Sequence, residues 1–197
     1  MNDKFQGKYR ITSARAQWWD YSAVGAYFIT ICTAGRFPYF GYIENGVMNY
    51  SEIGIIAGDY WHRITNHAKD VKLGAFVIMP NHIHGIIEIV QNEHVSNVET
   101  RHALSLQQDP LKQPGPPESH GKSRFRNPGK NTISSIIGGY KSAVSREYRR
   151  DKVCLVSTIW QSRFYDHIIR DEAEHSRIMQ YIDTNPINWK TDRFNNG

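Results

Sequence analysis

The sequence has little cysteine and no long apolar stretch, and each absence excludes a class of protein. Its two cysteines, Cys32 and Cys154, are far apart and form no Cys-x-x-Cys pair, so neither a disulfide scaffold nor a thiolate zinc site is indicated. No segment is long and apolar enough to span a membrane, and the polar N-terminal region lacks a signal-peptide pattern. The composition therefore predicts a soluble protein of the reducing cytoplasm with no membrane partner.

Acidic residues are fewer than basic ones. The chain has 19 Asp and Glu residues and 24 Lys and Arg residues, which give a formal net charge of +5. This excess favours a polyanionic partner, although many basic proteins bind no nucleic acid. The chain of 197 residues is long enough for one domain with a hydrophobic core. We predict a single domain over residues 1–197.

Aromatic residues become scarce over residues 91–131, where Pro, Gln, Ser, Asn and Gly are abundant. Four of the five prolines of this segment cluster at Pro110, Pro114, Pro116 and Pro117. A segment of this composition cannot bury enough apolar surface to offset the entropy cost of ordering. We predict a mobile insertion over residues 91–131.

The remaining sequence alternates between strand and helix patterns. Runs of β-branched and aromatic residues predict strands over residues 26–33, 71–79, 82–90 and 164–169. Apolar residues at helical spacing predict helices after the capping residues Ser51, Thr132 and Asp171, and Asn45-Gly46 predicts a hairpin turn. The order βαββαβ predicts an α+β, ferredoxin-like sandwich, whose antiparallel sheet has two helices on one face and is open on the other.

Two histidines separated by one residue begin the strand predicted over residues 82–90. Successive side chains of a strand face opposite ways, so His82 and His84 share a face while Ile83 points into the core. Two imidazoles on one face can bind one metal ion, but two ordinary histidines on a half-exposed strand give the same pattern. We expect both rings on the open face of the sheet.

Polar residues interrupt the inward-facing stripe of the last predicted helix. Ile178, Tyr181, Ile182 and Asn185 follow one another at helical spacing and so share one face. One interpretation makes Tyr181 a core tyrosine and Asn185 a cap before Pro186. In the other, Asn185 supplies an amide oxygen to a metal, and the Tyr181 hydroxyl faces a phosphodiester that the metal polarises.

Four segments carry a resemblance to a known family, at residues 27–33, 77–85, 160–170 and 181–186. His82-Ile83-His84 resembles the His-hydrophobic-His signature of the HUH nucleases. Its pairing with one downstream tyrosine is similar to the transposases of that superfamily that act on single-stranded DNA. The chain most resembles the REP-associated tyrosine transposases, because the related insertion-sequence enzymes carry glutamine at the position of Asn185.

The resemblance implies a metal-dependent endonuclease and strand transferase that acts on single-stranded, hairpin-containing DNA through a 5′-phosphotyrosine intermediate. It implies that His82 and His84 bind Mg²⁺ or Mn²⁺, that Asn185 completes the coordination, and that Tyr181 is the nucleophile. Tyr165 is the next candidate nucleophile, although we interpret it as structural. We expect the protein to be associated with the chromosome of a prokaryotic cell. Its oligomeric state can be a monomer or a homodimer. The protein can be the enzyme of an active mobile element or an enzyme that the host has retained.

Basic residues near the helix predicted after Thr132 are candidates for contacts with the DNA backbone, although each also fits a solvated surface charge. They are Lys130, Lys141, Arg146, Arg149 and Arg150. Trp18, Trp19 and Trp160 are candidates for stacking on bases, with packing in the core or at its edge as the simpler interpretation.

Two other classes of protein fit part of the pattern. A non-catalytic, RRM-like module also presents a ferredoxin-like sheet to single-stranded nucleic acid, but this chain lacks the RNP aromatic signature. In a metal hydrolase of another kind, a water molecule attacks the substrate and Tyr181 only assists. That reaction would leave 5′-phosphate ends with no protein attached.

Overall fold

The computed structural model describes residues 22–90, 131–150 and 158–195, together with the backbone of residues 4–5 and 8–9. The insertion predicted over residues 91–131 lies outside the described residues except for Asn131. Lys130, Trp18 and Trp19 lie outside them as well, so their proposed roles stay predictions.

The described residues form strands and helices close to the predicted bounds. The strands are β1 (Lys4–Phe5), β2 (Lys8–Tyr9), β3 (Gly25–Cys32), β4 (Gly41–Glu44), β5 (Val47–Tyr50), β6 (Val71–Met79), β7 (His82–Ile89) and β8 (Tyr165–Ile169). The helices are α1 (Glu52–His62), α2 (Ile64–His67), α3 (Ile133–Arg149) and α4 (Glu172–Thr184), with short 3₁₀ turns at Ala34–Arg36 and Trp189–Thr191. One difference is a break at Arg63, which divides the first predicted helix into α1 and α2.

The predicted local signals are present where the chain turns. Ser51, Thr132 and Asp171 each accept a hydrogen bond from the backbone N–H three residues later, so all three are helix caps. Asn45 and Gly46 both have positive φ, as the tight turn between β4 and β5 requires.

Four strands form one antiparallel sheet in the order β6-β7-β3-β8, and β1-β2 and β4-β5 form separate pairs. The sheet register places His84, Thr30 and Tyr165 opposite one another on β7, β3 and β8. Residues directly opposite in an antiparallel sheet point to the same face, so these three side chains form one row across it. The predicted α+β class with an antiparallel sheet is confirmed.

One face of the sheet packs against α1 and α3 and carries most of the apolar core. Ile83 and Ile87 of β7 are almost fully buried there with Trp61 of α1. A Cβ at Gly85 would overlap the Trp61 ring, so the strand needs glycine where the helix approaches it. Trp160 is buried against Phe40, so core packing rather than base stacking accounts for this tryptophan.

The second face of the sheet is not open, and the expectation that it would be is wrong. Ile182 of α4 packs on Phe28 and Ile86, and together they form a smaller apolar cluster on this face. Beyond α4 the chain returns over the histidines, and the buried Phe194 ring lies 4.5 Å from the His82 ring, centroid to centroid. The residues after Pro186 show no periodicity that predicts this cover.

Candidate metal and tyrosine site

His82 and His84 lie side by side on the face of β7 that α4 and the C-terminal segment cover. Their ring centroids are 4.5 Å apart, and both residues are fully buried. The alternation along the strand therefore places the two imidazoles together as predicted, but inside the protein rather than on an accessible surface.

Each ring is held at its Nδ1 atom, which leaves Nε2 for another partner. The Thr30 hydroxyl lies 2.9 Å from Nδ1 of His84, and Oδ1 of Asn81 lies 2.8 Å from Nδ1 of His82. The Asn81 amide donates from Nδ2 to the carbonyl oxygens of Phe194 and Arg36, which fixes its orientation. Because Oδ1 can only accept, Nδ1 of His82 carries the hydrogen, and Nε2 keeps the lone pair that a metal ion requires.

Two buried polar atoms of this cluster have no hydrogen-bond partner among the described residues: Nε2 of His82 and Oδ1 of Asn185. A buried polar atom without a partner costs about 1–3 kcal/mol, so such atoms call for an explanation. An imidazole nitrogen and an amide oxygen are both metal ligands. The two unpaired atoms therefore fit a metal ion better than they fit a closed protein core.

A carboxylate that the sequence analysis missed joins the two histidines. His82, His84 and Asp192 each offer a ligand atom, and these atoms all lie within 4.8 Å of one another, so the three residues could hold a metal ion. Asp192 also accepts hydrogen bonds, from Nδ2 of Asn185 at 3.3 Å and from the Phe194 N–H. Asp192 follows Pro186 in an irregular segment, and no periodicity or motif spacing there points to a ligand.

Tyr181 stands on α4 with its hydroxyl 3.1 Å from Nε2 of His84, although the two residues are 97 positions apart in the sequence. Its ring meets Phe28 edge to face, and 40% of the residue remains exposed. Partial burial and the nearby Asp192 raise the pKa of the Tyr181 hydroxyl, while the Asn185 amide and the Arg193 charge act in the opposite direction. Tyr181 is therefore a protonated phenol at neutral pH, in contact with solvent on one side and with a candidate ligand on the other.

Burial sets the protonation state of both histidines. It lowers the pKa of His82 to about 2, with further contributions from His84, Arg193 and Arg36. Burial together with Arg193 lowers the pKa of His84 to about 3. Both imidazoles are therefore neutral at pH 7, which is the form that binds a metal ion.

A cleft of about 470 Å³ opens beside this cluster, and we call it the metal-side cleft. Its lining residues come from β3, from α4 and from the segment that follows α4: Phe28, Tyr181, Asn185, Asn188, Thr191, Asp192 and Arg193. The Tyr181 hydroxyl can therefore meet a molecule that enters from solvent.

The basic residues proposed for DNA contacts do not adjoin the histidines. Lys141, Arg146, Arg149 and Arg150 belong to or follow α3, which packs on the opposite face of the sheet. Lys141 donates from Nζ to the carbonyl oxygens of Gln161 and Arg163, and Arg150 pairs with Glu147. These four residues therefore lie on the other side of the sheet from Tyr181.

No protein-family model matches the sequence. A protein of Haemophilus influenzae strain Rd, described as uncharacterized, is 35% identical over 181 residues, which are 92% of this chain and 91% of that protein. The two proteins belong to one family. The identity extends over nearly the whole of both chains, so this family shares the complete arrangement of segments rather than one motif.

A solved structure of a REP-associated tyrosine transposase bound to a REP hairpin has the same fold. It superimposes with a TM-score of 0.52 over 89% of this chain and 74% of that one, at 16% sequence identity. The resemblance stated from the motifs is thereby confirmed at the level of the fold. Among the helices of the described residues, none has the length and apolarity needed to cross a membrane.

Proposed function

We propose that the protein is a metal-dependent endonuclease and strand transferase for single-stranded, hairpin-containing DNA, of the REP-associated tyrosine transposase type. One observation carries the proposal. The Tyr181 hydroxyl, a buried amide and a carboxylate line one cleft and meet two neutral, buried imidazoles beside it, although the first and last of these residues in the chain, His82 and Asp192, lie 110 positions apart. We also propose that residues 1–197 form a single HUH domain of ferredoxin-like topology, which the strand order β6-β7-β3-β8 supports.

The proposed reaction is a transesterification at a DNA phosphodiester. The Tyr181 oxygen forms a bond to phosphorus, the bond from phosphorus to the 3′ oxygen breaks, and a free 3′-hydroxyl leaves. The phenol proton is lost as the new bond forms, and the departing 3′ oxygen takes up a proton. The product is a 5′-phosphotyrosine link, which conserves the energy of the broken ester for rejoining without ATP.

His82, His84 and Asp192 are the residues proposed to hold the divalent metal, with Asn185 as a further oxygen ligand. The metal, when bound, neutralises charge that develops on the phosphodiester. A set of two nitrogens and two oxygens suits Mn²⁺ better than Mg²⁺, because Mg²⁺ prefers oxygen ligands alone. Nε2 of His84 lies 3.1 Å from the Tyr181 hydroxyl, so a metal ion bound to this nitrogen in place of the hydrogen bond would lie beside the phenol oxygen.

The position of Tyr181 favours the transesterase over a passive binding module. A tyrosine that only closed the core would bury its ring and satisfy its hydroxyl at the surface. Tyr181 instead leaves 40% of its surface exposed in the cleft and directs its hydroxyl toward a ligand atom. Lys141, Arg146, Arg149 and Arg150, on the far side of the sheet, remain candidates for contacts with DNA beyond this cleft, as does Lys130, which lies outside the described residues.

A trapping experiment tests the proposal. A labelled library of single-stranded DNA hairpins with randomised flanks is incubated with the protein and Mn²⁺, and a denaturing gel separates DNA that carries attached protein. We expect an adduct with the natural chain and none with Tyr181→Phe, because phenylalanine keeps the packing on Phe28 but has no nucleophile. Tyr165→Phe is the matched control and should form the adduct.

Three outcomes would contradict the proposal in different ways. An adduct that survives Tyr181→Phe and disappears in Tyr165→Phe would make Tyr165 the nucleophile. Cleaved DNA with 5′-phosphate ends and no attached protein would identify a metal hydrolase in which water attacks. Tight binding with no cleavage in any metal would favour the RRM-like binding module.

A further inference from the structure

A second cleft adjoins the metal-side cleft at Tyr181. We call it the strand-side cleft; its volume is about 330 Å³, and Tyr165, His167, Glu174, Arg177 and Ile178 line it. Phe28, Tyr181 and Arg193 line both clefts. The reacting hydroxyl therefore stands between two adjoining depressions, both of which are open to solvent.

The sheet register fixes the distance between this cleft and the histidines. Tyr165 stands opposite Thr30, which stands opposite His84, so Tyr165 and His84 are two strands apart in one row. Two strand spacings amount to roughly 10 Å. A phosphate near His84 and a base near Tyr165 are therefore within the span of neighbouring nucleotides on one strand.

The chemistry of the strand-side cleft suits a nucleotide. Tyr165, which is 46% exposed, and the buried Phe28 both contribute aromatic rings to the lining of this cleft. Arg177 and Arg193 are exposed cations at the same cleft. Aromatic rings stack on bases of any sequence, and guanidinium groups bind phosphate oxygens.

The carboxylate in this cleft, Glu174, is held by hydrogen bonds within the protein. Glu174 accepts from the His167 ring at Oε1 over 2.8 Å and from the Arg170 backbone N–H at Oε2 over 2.9 Å. Both oxygens therefore have partners within the protein. The hydrogen bond from His167 to Glu174 fixes the position of the imidazole ring in the cleft lining.

We propose that the strand-side cleft binds the nucleotide of single-stranded DNA that neighbours the scissile phosphate, with Tyr165 stacked on its base and Arg177 at its phosphate. The choice of DNA rests on the proposed function, whereas the stacking site rests on the cleft itself. Tyr165, considered above as an alternative nucleophile, then has a binding role beside the nucleophile.

Equilibrium binding in EDTA tests this proposal apart from catalysis. The probe is a fluorescently labelled library of random single-stranded DNA 20-mers, and fluorescence anisotropy gives the dissociation constant. We expect Tyr165→Ala to bind about 10-fold more weakly and Tyr165→Phe to bind like the natural chain, because the ring alone stacks. Tyr42→Ala is the matched control: Tyr42 is 62% exposed on β4, away from both clefts, and its loss should not change binding.

A second pair of measurements identifies the contacts. Arg177→Gln should weaken binding to all sequences and reduce the salt dependence by about one phosphate contact. DNA that contains 5-iodouracil should crosslink under ultraviolet light to Tyr165, as peptide mass spectrometry would show. If Tyr165→Ala lowers the melting temperature, Tyr165→Leu repeats the test with the cleft wall still covered.

The proposal is overturned if Tyr165→Ala binds as tightly as Tyr42→Ala, or if the protein fails to bind single-stranded DNA. Tighter binding of RNA of matched sequence would overturn the choice of DNA. Binding that depends on Tyr165, in a protein that forms no adduct with Mn²⁺, would support this cleft and reject the proposed function.

Discussion

The two faces of β7 are both buried, but they are buried in chemically different ways. Ile83 and Ile87 point toward α1 and α3 into a large core made mostly of apolar side chains. His82 and His84 point toward α4, where Nε2 of His82 and Oδ1 of Asn185 have no hydrogen-bond partner in the described part of the chain. Burial of the first face stabilises the fold. Burial of the two unpaired polar atoms on the second face costs free energy that a bound metal ion would restore.

The largest effect should come from removing an imidazole. We expect Mn²⁺ at 100 times its dissociation constant to stabilise the natural protein by about 2.7 kcal/mol, and His82→Ala to abolish this stabilisation. Formation of the DNA adduct should fall at least about 10³-fold. Thermal melting with and without Mn²⁺ measures the first effect, and Ile83→Val is the control that keeps the Mn²⁺ response. A full Mn²⁺ response in His82→Ala would disprove the metal site.

The apolar face should respond in the opposite sense. Ile83→Ala should lower the free energy of unfolding by about 2–5 kcal/mol, because it leaves a cavity between the sheet and the helices. Mn²⁺ affinity should stay within a few-fold of the natural value, since the two histidines on either side point the other way. Urea unfolding and calorimetric Mn²⁺ titration give the two quantities. A large loss of affinity at unchanged stability would mean that the two faces are not separate.

Acid should destabilise the metal-free protein through the histidine face. Because the pKa of His82 is about 2 and that of His84 about 3, the unfolded chain binds protons below about pH 6.5 that the folded chain does not. The free energy of unfolding therefore falls as the pH drops from about 6.5 toward 3, by about 1.4 kcal/mol per pH unit for each ring. Urea unfolding between pH 7 and 5 checks this slope. His84→Gln should have a shallower slope; an unchanged slope would assign the acid sensitivity to other groups.

The smallest of these effects should come from the amide. Asn185→Ala should lower Mn²⁺ affinity about 10-fold, which corresponds to about 1.4 kcal/mol. It should change metal-free stability little, because Oδ1 has no hydrogen-bond partner among the described residues and the bond lost from Nδ2 to Asp192 is long, at 3.3 Å. The exposed Asn188, which lines the same cleft, provides the control variant Asn188→Ala. Equal Mn²⁺ affinities for the two variants would exclude Asn185 from the ligand set.

Much of the fold could be predicted because it depends on local signals. The caps at Ser51, Thr132 and Asp171 and the Asn45-Gly46 turn satisfy backbone groups with residues that are close in the sequence. The alternating direction of side chains along β7 likewise predicts that both histidines lie on one face, without knowledge of any tertiary contact. The break at Arg63 was not predicted, since the apolar spacing continues across it.

The candidate site was predictable only in part. The helical spacing put Tyr181 and Asn185 on one stripe, and the structure brings both to the cleft beside the histidines. Asp192 was missed because it lies in an irregular segment whose position depends on long-range packing. The basic residues of α3 were grouped with the site by charge alone, and charge does not reveal which face of a sheet a helix covers.

The sequence by itself determined the strands and helices, their order and the face on which each side chain of β7 lies, because these follow from backbone periods and neighbouring residues. Only the tertiary structure decided that the histidine face is closed, that Asp192 joins it, and that Tyr181 reaches His84 from 97 positions away. The physical reason is that these contacts between residues distant in the sequence depend on how α4 and the segment after it pack on the sheet. Packing of that kind is a property of the whole chain and leaves no local pattern in the sequence.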